Sequence, residues 1–205
     1  MKQKDTNSKQ RILEAALKEF SSHGYSGARM ETIAQKANIN KAMIFYYYSS
    51  KNNLYQEVLR TALVKIFIPV SKVIAEAVDP ESFIEKTAGF YVSFFTENQD
   101  FIHMVAFDLV QNPENLSRVL SAFFKNNFAK GPGLIKKKIV SWYEEGFISE
   151  SDPVHFMLNI VSLSLLSFLG RPIIGSIFQM NLDEKKFIRQ RRKSVINVLK
   201  KGMLR

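Results

Sequence analysis

Residues 41–51 carry the side chains with the clearest chemistry in this chain: Lys41, Ala42, Met43, Phe45, Tyr46, Tyr47 and Lys51. On a helix, Ile44 and Tyr48 lie four positions apart and face inward, which turns the others outward. Adjacent aromatics on the open side of a helix, next to a lysine, imply a surface that touches something. B-DNA's major groove admits an α-helix, whose N-terminal residues read base edges. Lys41 suits guanine O6/N7 or a phosphate, Ala42 and Met43 suit thymine methyls, and the Tyr46 and Tyr47 hydroxyls suit phosphate oxygens. Lys51, at the start of the next helix, brings a charge and a helix N-terminus towards the backbone.

Such a helix needs a scaffold, and the preceding residues supply one. Ile12, Leu13, Ala16, Leu17 and Phe20 recur at helical spacing, which predicts a first helix over about 7–22. Lys9, Lys18 and Glu19 lie off that face, and Gly24 suits a left-handed C-cap. Met30, Ile33, Ala34 and Ala37 form an i, i+3, i+4, i+7 stripe and predict a second helix over 30–37. Asn38-Ile39-Asn40 interrupts it, Asn40 can cap a third helix over 41–48, and Ser50 can cap a fourth. Two short helices joined by a three-residue turn make a helix-turn-helix. Ala34 is small enough for a close crossing, and Ile39 plugs the angle.

Beyond this segment the chain reads as a larger helical body. Asp79-Pro80, Asn112-Pro113 and Asp152-Pro153 each place a capping side chain before a proline, which is tolerated at a helix's first position. Asn181-x-x-Glu184 resembles a capping box, and Gly146 can end the helix through Trp142. Helices are expected near 51–77, 80–97, 99–111, 113–128, 133–145, 153–170 and 184–203. The fold class is all-α, with a helix-turn-helix domain at 1–52 and a second domain at 53–205.

Catalysis finds no support in the residue pattern. With no cysteine among its 205 residues, the chain cannot build thiolate metal sites, disulfides or a cysteine nucleophile. His23, His103 and His155 lack partners at metal-ligand spacing. Glu144 and Glu145 diverge on a helix and read as a solvated face, and no phosphate-binding glycine loop or zinc-protease motif occurs. No metal, cofactor or enzymatic activity is expected.

The formal charge of +10 points to nucleic acid or an anionic membrane. Residues 1–60 hold 10 basic and 5 acidic side chains, 61–124 hold 4 and 8, and 125–184 hold 6 and 6. Residues 185–205 hold 9 basic and none acidic. The charge therefore sits at the two ends. Residues 1–10 are polar with no secretory h-region after them, which fits a cytoplasmic protein. The uncharged run 153–170 reads as a buried helix that needs a partner to cover it. The alternative is a basic helical membrane-surface or interaction protein, with the tail lying on anionic lipid.

The pattern Arg11-Ile12-Leu13-x-Ala15-Ala16-x-x-x-Phe20-x-x-x-Gly24-Tyr25, then Ile33-Ala34-x-x-Ala37-x-Ile39, then Ile44-Phe45-Tyr46-Tyr47-Tyr48-x-Ser50-Lys51-x-x-Leu54 resembles the TetR/AcrR family of transcriptional regulators. Gly146-Phe147-Ile148 to Asp152-Pro153 is a second, weaker likeness. The resemblance implies a cytoplasmic homodimeric regulator, most simply a repressor, that binds a palindromic DNA operator and is released by a small effector. It implies DNA contacts from Asn40, Lys41, Ala42, Met43, Phe45, Tyr46, Tyr47 and Lys51, and pairing through the helices near 153–170 and 184–203. Ala28 stands where the family often has a capping Thr, and Arg29 is the candidate substitute contact. Asn38 and Ala42 replace frequent glycines, and Phe45 replaces a frequent Tyr. The Phe-rich body reads as core, with Phe90, Phe94, Met104, Phe107 and Trp142 as candidates to line an apolar effector pocket. His103 is the candidate polar group there.

Overall fold

The computed structural model describes residues 2–127, 131–181 and 185–205, with side chains for 7–125, 133–181 and 185–205. These residues form α1 (Lys2–Gly27), α2 (Met30–Ala37), α3 (Lys41–Tyr48), α4 (Lys51–Glu76), α5 (Pro80–Glu97) and α6 (Gln99–Gln111). After them come α7 (Pro113–Asn127), α8 (Gly131–Glu144), α9 (Pro153–Leu169), α10 (Arg171–Phe178) and α11 (Lys185–Met203). The only β-pairing among the described residues is an isolated antiparallel bridge, Ile148 to Leu204.

The helix boundaries follow from local chemistry. Asp79 accepts a hydrogen bond from the Ser82 N–H at 2.7 Å, and Asp152 accepts from the N–H groups of Val154 (2.7 Å) and His155 (3.1 Å). Each satisfies orphan donors of a first turn that begins with proline. Gly146, at φ +81°, closes α8: its N–H bonds to the Tyr143 carbonyl and that of Phe147 to the Trp142 carbonyl. This is the Schellman arrangement.

Several elements depart from expectation. Helix α1 is longer, and Gly24 (φ +65°, ψ 177°) kinks it instead of capping it, after which the helix continues to Gly27. Helix α10 was not expected. Gly170 ends α9 and precedes α10 at a bend of 64°, so one uncharged run becomes two helices. The capping box at 181–184 reaches into residues outside the described ones, as does Phe128. The expectation of a buried helix at 153–170 holds for one face only. Phe156, Ile160 and Phe168 are buried, whereas Val154, Leu158 and Leu166 are exposed. No single helix among the described residues is long and apolar enough to cross a membrane; α9 and α10 pass that test only together, as the bent pair.

Packing divides the chain into two compact units: residues 1–65 with 100–126, and residues 66–99 with 127–205. Part of α4 and helices α6 and α7 thus belong to the first unit. Pro69 lies inside α4. It cannot supply the N–H that the Lys65 carbonyl would otherwise accept, and the division falls just after Lys65.

In the first unit, α2 packs on α1 and α3 on α2. Ile12, Ala16, Phe20, Ile33, Ile44, Leu54 and Tyr55 are buried. The Tyr55 ring meets those of Phe20 and Tyr25, each edge-on at 5.1 Å. In the second unit, α5 packs against α9 and α11, around a cluster of Phe83, Trp142 and Phe156. The Lys200 ammonium ties α11 to α5 through Glu81 and Glu85.

Candidate nucleic-acid interface

Helix α2 ends on Asn38, which adopts the left-handed conformation (φ 51°, ψ 54°). Asparagine tolerates that region better than most residues, so it serves where glycine is frequent in the family. The Asn38 and Ile39 N–H groups bond to the Gln35 and Ala34 carbonyls. Asn40 then starts α3, its Oδ1 accepting from the Ala42 N–H at 2.8 Å. Ala34 is buried and Ile39 half-buried, which sets α3 across α2. Ile44 is fully buried beneath α3, and the half-buried Tyr48 donates to the Lys9 carbonyl at 3.4 Å. Burial pushes the Tyr48 hydroxyl up to about 12, with the Glu57 and Tyr47 charges adding to it, so it stays a neutral donor.

The anchors leave Lys41, Ala42, Met43, Phe45 and Tyr46 exposed, and Tyr47 half-buried. Tyr46 is 77% exposed, and its ring meets Tyr47 edge-on at 5.3 Å. The Lys9 ammonium lies 5.3 Å from the Tyr47 ring centre. Lys41 pairs with Glu31 of α2 and sits 5.7 Å from the Phe45 ring centre. That hydrogen bond, followed by smaller charge effects, holds the exposed Glu31 carboxyl below its ordinary value.

Two candidate contacts are differently engaged. The Lys51 ammonium donates to the Ser26 carbonyl at 3.2 Å and lies over the Tyr25 ring at 4.9 Å; partial burial lowers its pKa. Arg29 is exposed, and its backbone starts α2 without a side-chain cap. Its N–H donates instead to Glu19 Oε1 at 3.3 Å. Glu19 was expected off the apolar face of α1, yet it is 2% exposed. The Lys36 ammonium meets its other oxygen at 2.7 Å. Burial raises the Glu19 pKa, but the bonds from Lys36 and Arg29 and the Lys36 and His23 charges outweigh this and leave it lowered. Glu19 thus ties α1 to both ends of α2, where buried Ala28 offers no cap.

The six pocket candidates fall into the two units. Met104 is buried in the first, with His103 and Phe107 exposed. Phe94 and Trp142 are buried in the second, with Phe90 half-buried. Phe107 lies against Gly24: a Cβ on that glycine would sit 2.0 Å from the ring.

Asp108, on α6 in the first unit, did not stand out in the sequence. It is 1% exposed, and its Oδ2 has no hydrogen-bond partner, like Nδ2 of buried Asn115. The signal available was a lone acid inside Met104-Val-Ala-Phe-Asp-Leu-Val. Burial raises its carboxyl from 3.8 to about 6. Because the folded value is the higher one, the native state holds the extra proton between those values. The group's contribution to stability is therefore whole below about pH 4 and falls as pH rises towards about 6. Asp108→Asn should raise the unfolding free energy at pH 8 by about 1–2 kcal/mol, and leave it nearly unchanged at pH 3.5. Calorimetry at the two pH values reads this.

Helix α3, open on its outer face and packed on α2, which packs on α1, defines a helix-turn-helix DNA-binding protein. Residues 12–58 match the family model for bacterial regulatory proteins of the tetR family, and residues 80–199 match the tetracyclin repressor-like C-terminal domain. The chain belongs to the TetR family of transcriptional regulators. It is 27% identical to the HTH-type transcriptional repressor NicS of Pseudomonas putida over 180 residues, covering 85% of this chain and 82% of that protein. It is 25% identical to the HTH-type transcriptional regulator RutR of Escherichia coli over 198 residues, covering 95% and 90%. The fold matches the TetR-family regulator PfmR of Thermus thermophilus, with a TM-score of 0.69 at 20% identity, covering 95% of this chain and 100% of that one. These relatives are regulators, not enzymes, and the match across both parts of the chain disfavours the membrane-surface alternative.

Proposed function

We propose that this DNA-binding regulator is a cytoplasmic repressor that occupies a palindromic operator as a homodimer and is released by a small, largely apolar effector. The observation that carries the DNA site is the outer face of α3. Met43, Phe45 and Tyr46 stand exposed beside Lys41, at the N-terminal end of a helix whose other face is buried. In this reading Asn40, Lys41, Ala42, Met43, Phe45, Tyr46 and Tyr47 face the groove. Lys51 and Arg29 reach phosphates, for which Lys51 must leave the Ser26 carbonyl. Residues 1–52 read DNA, and 53–205 bind the effector and pair. Binding to DNA flanking the chain's own gene should appear in a gel shift and weaken steeply with salt, as counterion release requires.

Pairing is proposed through α9 and α11. Val154, Leu158 and Leu166 share one exposed edge of α9, and Val198 is exposed on α11. Leu158→Glu should convert the dimer to a monomer in sedimentation equilibrium and cost at least tenfold in operator affinity. A dimer that persists unchanged would remove α9 from the interface. The proposed effector acts by preferring a dimer whose recognition helices no longer match successive major grooves. Its effect is bounded by its difference in affinity for the two states. Contact between Phe107 and Gly24 supports a coupling of α6 to α1 in that response.

A further inference from the structure

Helix α11 brings two adjacent arginines onto its packing partners in the second unit. One Arg191 Nη2 donates to the Leu163 carbonyl of α9 at 2.5 Å, while its Nε is buried without an acceptor. The Arg192 guanidinium lies on the backbone of α5 at Gly89, where a Cβ would come within 2.5–2.8 Å of three of its atoms. The Ser167 hydroxyl, one turn beyond Leu163 on α9 and on the same face, is also buried without a partner. No carboxylate among the described residues pairs with either arginine. Glu85, one turn before Gly89 on α5, is held by Lys200 at 2.8 Å. Arg191 is half-buried and Arg192 exposed, and partial burial lowers the Arg191 pKa.

A buried guanidinium donor without an acceptor is costly, and structures rarely leave one. Neither α9 nor α11 offers a counter-charge, and Glu81 and Glu85 of α5 are taken by Lys200. Residues 153–181 and 185–205 contain no aspartate or glutamate, so a second copy paired through α9 and α11 could not supply one from those helices either.

We propose that Arg191 and Arg192, with Ser167, form a binding site for the oxyanion of a small molecule, a carboxylate or a phosphate, where α11 crosses α5 and α9. The arginine forks give parallel N–H donors matched to such groups. Gly89 is what lets the second fork lie flat. The site is made within one chain and does not depend on the DNA or dimer assignments.

The test is thermal unfolding of the full-length protein at pH 7.5 in about 10 mM sodium phosphate, sodium acetate or sodium chloride at matched ionic strength. A rise of about 3 °C or more over chloride is expected with at least one oxyanion, as for any ligand of the native state present well above its Kd. Which oxyanion acts separates a phosphate from a carboxylate site. The same scans on Arg191→Met and Gly89→Ala control for general salt effects. Both variants should lose most of the rise. Gly89→Ala is the more tolerant, since it meets only the mobile end of Arg192 and favours the helix. A wild-type protein that responds to neither anion, or variants that respond as fully as wild type, would overturn the proposal.

Discussion

Tyr46→Ala is expected to lower operator affinity by about 30-fold while moving the unfolding midpoint by no more than about 2 °C. The side chain is 77% exposed, and a surface substitution of this kind changes stability by about 0.5 kcal/mol or less. On the proposed reading, its contribution lies in the complex of a homodimer with DNA. Loss of one ring packed on the duplex and one hydroxyl on a phosphate costs about 1 kcal/mol per half-site. A homodimer loses it twice, and 1.4 kcal/mol is a factor of ten. Fluorescence anisotropy with a labelled operator measures the first quantity and calorimetry the second. Equal loss of affinity and stability would mean that Tyr46 holds the fold. The neighbouring Tyr47→Ala is a useful contrast, because its half-buried ring also meets Tyr48 and the Lys9 ammonium.

Gly24→Ala should destabilise the first unit by about 2–6 kcal/mol. Two costs combine. At φ +65° and ψ 177° the backbone occupies a region nearly closed to residues with a side chain, worth about 1–3 kcal/mol. The new methyl would also collide with the Phe107 ring, an overpacking cost of about 1–3 kcal/mol. Phe107→Ala in the same background should restore about half of the loss, because it removes the collision and leaves the strained backbone. Urea unfolding of the single and double variants reads the partition. Full restoration would mean that the backbone carries no strain, and no restoration that the ring is not in the way.

Much of this architecture was legible because the determinants are local. The stripe Met30, Ile33, Ala34, Ala37, the cap at Asn40 and the paired apolar positions Ile44 and Tyr48 set α2 and α3 within short reach of the chain. Their ends agree with expectation to the residue. Asp-Pro dipeptides at 79–80 and 152–153 set the starts of α5 and α9 in the same way. What escaped depends on distant partners. Glu19 looked like a solvated face residue on its own helix; it is buried because α2 closes over it and offers Lys36 and the Arg29 N–H. Gly24 looked like a helix stop, since its link to Phe107 spans residues far apart in sequence. Helix α10 escaped because it starts after Gly170 with no side-chain cap, unlike the Asp-Pro starts of α5 and α9.

The candidate site divides along the same line. The outward set on α3 follows from buried Ile44, half-buried Tyr48 and the helical period, so the exposure of all but Tyr47 could be anticipated. Whether each cation is free could not. Lys41 is matched by Glu31, and Lys51 is turned to Ser26 and Tyr25. The basic block at 185–205, the largest in the sequence, contributes Lys200 to a clasp with Glu81 and Glu85 and places two arginines against α5 and α9. Net charge alone gave no hint of that division of labour. The pocket residues were chosen by type within a Phe-rich body, where ring packing in a core and lining of a cavity leave the same pattern.

The central claim is that the outer face of α3, presented twice by a dimer, holds DNA. Hydroxyl-radical footprinting on the DNA flanking the chain's own gene tests it most directly, comparing wild type with Tyr46→Ala/Lys51→Ala. Wild type should protect two patches about one helical turn apart, roughly 34–36 Å between centres, and the double variant should protect neither at the same concentration. Protection by the double variant equal to that of wild type would contradict the claim.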